Sequence, residues 1–97
     1  MIIRIVQMTF LADKVQDFEE IFDSRKDKIR NFPGCLHLEL WQDAKNKNIF
    51  FTYSHWESES ALNHYRFSEF FKDTWGKTKI LFESSPQAWS VERKTVG

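Results

Sequence analysis

The stretch "CLHLELWQDAKNKNIFFTYSHW", residues 35–56, decides the fold. It opens on strict alternation, with Leu36, Leu38 and Leu40 set against Cys35, His37, Glu39 and Trp41. Successive strand side chains point to opposite faces, so this is a strand with one clean apolar face. "DAKNKN" is a polar turn, and "IFFTYSHW" is a second β-rich run, crowded with aromatics. Two such runs joined by a short polar turn form an antiparallel hairpin.

Working outward, residues 2–10 also alternate. Ile3, Ile5, Gln7 and Thr9 share one face, and Ile2, Arg4, Val6 and Met8 share the other. Both sets are largely apolar, which predicts a strand covered on two sides. Asp13 offers an N-cap with Gln16 three residues on, as in a capping box. Leu11, Val15, Phe18, Phe22, Ile29 and Phe32 follow at helical spacing, and Pro33-Gly34 ends that helix. Beyond the hairpin, Ser58 is placed to cap a second helix carrying Ala61, Leu62, Tyr65, Phe70 and Phe71, interrupted at Gly76. "KTKILFE" extends it by a turn or two, "SSP" breaks the chain, and "QAWSVER" is a last strand with Trp89 and Val91 on one side.

The order β-α-β-β-α-β predicts an α+β, ferredoxin-like fold over a single domain, residues 1–97. A four-stranded antiparallel sheet carries its helices on one face. The expected uncovered face holds Ile2, Val6, Met8 and Trp41. A second copy of the same sheet is the simplest cover for it, which predicts a homodimer.

Composition agrees. A chain of 97 residues with 41% hydrophobic and 16% aromatic content has more large apolar side chains than a small interior needs. The remainder lines a cavity or a subunit interface. Lys plus Arg equals Asp plus Glu at 14 each, so no basic footprint for nucleic acid or an anionic membrane exists. One cysteine, Cys35, forbids an internal disulfide and points to a reducing compartment. "MIIRIVQMTF" is too short and polar for a signal peptide. The expected location is the cytoplasm.

Motif chemistry is sparse. His37, His55 and His64 lack any liganding spacing, so no metal is expected. Cys35 follows a Pro-Gly turn at a strand start, which supplies no thiolate-stabilising cation and suits a small buried apolar role. "DSRKDKIR" is the solvated end of the first helix. The second helix is more telling. Tyr65 and Phe71 share a face with Ala61 and Ser68, and His64 lies one residue round. If that helix roofs a pocket, these side chains and Gln7 converge on a mostly apolar cavity with a few polar groups, as a small organic ligand requires. Histidine suits proton transfer near neutral pH. Aromatics at helical spacing are more often core, with His64 a hydrogen-bonded helix histidine.

Pro33-Gly34-Cys35, the aromatic strand ending in Trp56, and Glu57, Ser58, Ala61, Leu62, His64 and Phe70 together resemble the antibiotic-biosynthesis monooxygenase domain, quinol monooxygenases included. The resemblance runs from the first strand to about Trp89. It implies a dimeric α+β barrel built from two ferredoxin-like units. It also implies a cofactor-free monooxygenase that oxidises a quinol-like or polycyclic aromatic with O2. On that resemblance His64 is base or orienter, Tyr65 and Gln7 are its hydrogen-bonding partners, and Trp56, Phe67, Phe71 and Trp75 are substrate-binding wall. The positions that heme-degrading relatives fill with Asn, Trp and His hold Gln7, Tyr65 and Trp75, which implies no heme degradation. Ser54 stands where many members carry Glu, and Phe67 where a small residue is common. The alternatives on the same scaffold are a non-oxidative isomerase, a ligand-binding dimer module without turnover, and a structural dimer with a filled core.

Overall fold

The computed structural model describes residues 1–97. Four strands, β1 (Ile2–Thr9), β2 (Cys35–Gln42), β3 (Ile49–Trp56) and β4 (Gln87–Val91), form one antiparallel sheet in the order β2-β3-β1-β4. Helices α1 (Val15–Arg30), α2 (Glu59–Arg66) and α3 (Glu69–Lys79) lie on one face of it. This is the ferredoxin-like α+β fold. No helix is long and apolar enough to cross a membrane.

The hairpin forms as its pattern requires, with Leu38 opposite Ser54, Leu40 opposite Thr52 and Trp41 opposite Phe51. Its alternation is broken once. Cys35 pairs with Trp56 and His37 with His55, so Leu36 is the extra residue of a bulge. The bulge turns Cys35 into the core and leaves Leu36 exposed.

β1 faces the opposite way from the expected parity. Val6 and Met8 lie under the helices, where Met8 joins Phe10, Phe18, Phe50 and Leu81 in a buried cluster. The open face instead carries Ile3, Ile5, Gln7 and Thr9. There Ile5 is registered between Tyr53 and Trp89, and Gln7 between Phe51 and Gln87. Of the residues expected on the open face, Trp41 alone lies there, stacked on Tyr53 with ring centres 4.6 Å apart. Both β1 sets are apolar, and the inward one is whichever meets the Phe18 and Phe50 rings.

Helix ends differ from the sequence pattern in two places. Asp13 caps nothing: a 3-10 turn, Ala12–Lys14, precedes α1, whose N-cap is Lys14 without a side-chain bond. Tertiary hydrogen bonds set the entry, since Phe10 donates its N–H to Asn48 and Leu11 donates to Leu81. The second break falls at Phe67-Ser68 rather than Gly76, which sits inside α3 with open space around it. The Ser68 hydroxyl donates to the Tyr65 carbonyl at 2.6 Å and accepts from the Phe71 N–H at 3.1 Å. One side chain thus ends α2 and caps α3. Ser58 caps α2 as its position predicts, accepting from Ala61 N–H.

Gly34 explains the Pro-Gly-Cys turn. Its φ is +88°, a region that glycine alone enters freely. A Cβ there would lie 2.5 Å from the Ala61 Cβ. The Gly34 carbonyl also accepts from Glu57 N–H at 2.9 Å. Glycine at 34 and a small residue at 61 therefore let the start of α2 press against the turn that leads into β2.

Candidate active site

The helix-side interior is divided. One cluster gathers around Phe10 and Phe18. The other packs Trp56, Leu62, Tyr65, Ile29 and Cys35. Between them lies a cavity of about 290 Å³, lined by members of both. That is the lower end of the range for small-molecule sites, about 300–1,000 Å³, and suits a ligand of one or two rings. A filled core, as a purely structural module requires, is not what the fold contains.

The floor is the sheet: Arg4, Val6 and Met8 of β1 beside Thr52, Ser54 and Trp56 of β3. The roof comes from α2 and α3, through Tyr65, Arg66, Phe71, Thr74 and Trp75, with Phe18, Phe22 and Ile29 of α1 behind. The aromatic wall is a continuous train. Trp56 stacks on Tyr65 (ring centres 4.9 Å apart), Phe71 meets Tyr65 edge-on at 5.1 Å, and Trp75 stacks on Phe71 at 5.8 Å. Such contacts fix the wall's shape as well as its polarity. The cavity opens beside the exposed residues Phe67, Gln87 and Ala88.

Polar groups are few. The Trp56 indole N–H donates to Ser54 Oγ at 3.0 Å, and Thr78 Oγ1 donates to the Thr74 carbonyl at 2.8 Å, so these are largely spent internally. Tyr65 lines the cavity, and its hydroxyl makes no hydrogen bond within the chain. Burial pushes its pKa well above the ordinary tyrosine value, so at neutral pH it is a donor and not a base. No carboxylate and no histidine lines the cavity.

The site residues expected from sequence divide cleanly. Tyr65, Trp56, Phe67, Phe71 and Trp75 all line the cavity. His64 does not: it is exposed on the outer side of α2, its ring 5.7 Å from that of Phe32. One residue of helix turns the side chain about a hundred degrees, which takes it from Tyr65's face to the surface. Gln7 does not either, because it stands on the open face of β1. Phe67 does not fill the pocket. It is 69% exposed and stands at the mouth, at the C-cap of α2. Sequence reading passed over Arg4 and Arg66. The signal for Arg4 was present: it is the one charged residue in an otherwise apolar strand set, flanked by Ile2 and Val6.

The open face holds a second polar-aromatic group. His37 and His55 lie 5.3 Å apart ring to ring, and Tyr53 meets His55 at 4.8 Å. Glu39 is bonded by both His37 and Trp41. Those two bonds hold its carboxyl below the usual carboxylate value. His55 Nε2 is buried without a partner. No group of three His, Cys, Asp or Glu side chains is placed to hold a metal ion.

A profile of the family described as "Antibiotic biosynthesis monooxygenase" matches residues 1–76. The chain belongs to the antibiotic biosynthesis monooxygenase family. Solved structures agree on the fold at low identity. One titled as an antibiotic biosynthesis monooxygenase superposes with a TM-score of 0.91 at 18% identity, over 98% of this chain and 100% of that one. A conserved protein from Methanosarcina mazei Go1 gives 0.90 at 21%, covering 97% and 94%. A putative family member from Caulobacter crescentus CB15 gives 0.89 at 20%, covering 97% and 90%. No curated protein matches the chain.

Proposed function

We propose that this family member is a cofactor-free monooxygenase that oxidises a small, electron-rich aromatic with O2. The observation that carries the reading is the aromatic cavity under α2 and α3, with the Tyr65 hydroxyl as its unspent neutral donor. The substrate lies against the rings of Trp56, Phe71 and Trp75. Loss of a proton makes it an enolate or phenolate, and Tyr65 donates a hydrogen bond to that developing oxyanion. The anion gives electrons to O2, a carbon–oxygen bond forms, and the resulting hydroperoxide loses water. The net change at the reacting carbon is CH2 + O2 → C=O + H2O. No lining residue is a carboxylate or histidine, so the first proton leaves to water at the mouth. The same lack of a protein base favours a second reading, binding without turnover.

The open sheet face belongs to the same proposal. Trp41, Trp89 and Val91 are 39%, 42% and 40% exposed there, and His55 Nε2 is buried and unpaired. We place a second copy over this face, in a homodimer. A single cysteine without a partner fits a cytoplasmic setting.

Oxygen uptake with a panel of anthrones and quinols tests the reaction. Tyr65→Phe should slow uptake about a hundred-fold, as removal of one oxyanion donor does. His64→Ala should leave it unchanged. Uptake by no member of the panel, together with ligand-induced thermal stabilisation, would establish binding without turnover instead.

A further inference from the structure

We infer that the cavity binds its aromatic ligand as an anion, with a ring-bound carboxylate clasped between the guanidiniums of Arg4 and Arg66. This rests on the cavity being the ligand site and goes beyond it by naming the ligand's charge.

Two arginines from different elements, β1 and the last turn of α2, line one small and otherwise apolar space. Neither forms an ion pair with any carboxylate of the chain, although the chain has 14 acidic residues. Arg4 places one N–H on Ser90 Oγ at 3.0 Å, and Arg66 holds Asn63 Oδ1 only loosely, at 3.5 Å. A guanidinium has five N–H donors, so most of this donor capacity has no protein acceptor. Burying a charge among apolar groups costs stability unless a counter-charge is supplied. Both arginines are half-buried here. Burial, and then the like charge of Arg66, both lower the Arg4 pKa.

Position gives the ligand a direction. Met8 and Phe18, both 3% exposed, close the apolar end of the cavity. The arginines lie toward the open end. Arg4 is tied to Ser90 on β4, and Arg66 adjoins Phe67 at the mouth. An aromatic acid enters ring first, seats its rings against Trp75 and Phe71, and leaves its carboxylate between the two cations. Planar guanidinium forks match a carboxylate's two oxygens, and such charge-assisted bonds are about twice as strong as neutral ones.

Equilibrium dialysis of the intact protein with naphthalene carboxylate and the isosteric naphthalene carboxamide tests this apart from any oxidation, since neither is a quinol. The carboxylate should bind about ten-fold tighter or better, and less so as salt is raised. Arg4→Met and Arg66→Met should each abolish the preference while amide binding stays within about two-fold of wild type, which also reports that the variants fold. Equal affinities for acid and amide, or a preference that survives both substitutions, would overturn the carboxylate clasp and leave the aromatic cavity standing. Binding of neither compound would overturn both. A third arm uses naphthol at neutral and mildly alkaline pH. Affinity that rises with naphthol ionisation, with no preference for the carboxylate, would overturn the carboxylate in favour of a phenolate.

Discussion

Replacing Gly34 with alanine should weaken the fold sharply, and the structure says by how much and through which partner. At φ +88° an alanine meets its own carbonyl environment unfavourably, a cost of about 1–2 kcal/mol. Its Cβ would also stand 2.5 Å from that of Ala61, closer than side chains approach. Relieving such an overlap costs about 1–3 kcal/mol more. Gly34→Ala should therefore lose about 2–5 kcal/mol, a large share of the typical 5–15 kcal/mol stability of a domain. Ala61→Gly alone should cost about 1 kcal/mol, from helix propensity. The double variant removes the overlap, because the next atom, Ala61 Cα, is at an ordinary 3.7 Å. It should then cost only about 2–3 kcal/mol, against the roughly 3–6 kcal/mol of the added singles. Urea denaturation measures all four proteins, with unchanged slopes required for the comparison. Strict additivity would refute the overlap, and a Gly34→Ala protein within about 0.5 kcal/mol of wild type would refute the whole account.

Other consequences are as direct. Trp41→Glu puts a charge on the open sheet face, at its β2 edge, so sedimentation at micromolar concentration should show a dimer for the wild type and a monomer for the variant; a monomeric wild type contradicts the proposed interface. Burial, with the charges of Arg93 and His37, holds His55 below its ordinary 6.5. The unfolded chain therefore binds a proton that the folded one refuses, and stability should decline as pH falls from 6.5 toward the lower folded value. His55→Gln should flatten that stretch of the thermal-stability profile, and an identical profile would count against it. Phe67→Ala should change stability by less than about 0.5 kcal/mol, given its exposure, while ligand association measured by stopped flow becomes faster; a large stability loss would show that Phe67 packs inside.

The elements that could be read from the sequence are those whose signal is local. The hairpin over 35–56 is legible because period-two alternation on either side of a polar turn has one solution. The first helix is legible because Val15, Phe18, Phe22 and Ile29 mark a single face. Tyr65 and Phe71 were legible as one helical face, a pattern that fits core as well as cavity wall, and Trp75 entered as wall only through the family resemblance. Helix boundaries were not, because Ser68 caps α3 through bonds to its neighbours, and nothing in its residue type outweighs a glycine at 76.

Which polar groups enter the site was a tertiary decision. On β1 both alternating sets are apolar enough to face inward, so periodicity assigns the strand and leaves its orientation open. Packing of Met8 against Phe18 and Phe50 settles it. One strand's parity then moves Gln7 out of the site and Arg4 into it. A turn of α2 does the same on the other wall, sending His64 to the surface beside Phe32 while Tyr65 and Arg66 line the cavity. The sequence determined the β-α-β-β-α-β scaffold and its aromatic wall. Only the packing of sheet against helices decided that Arg4 and Arg66, and neither His64 nor Gln7, line the cavity.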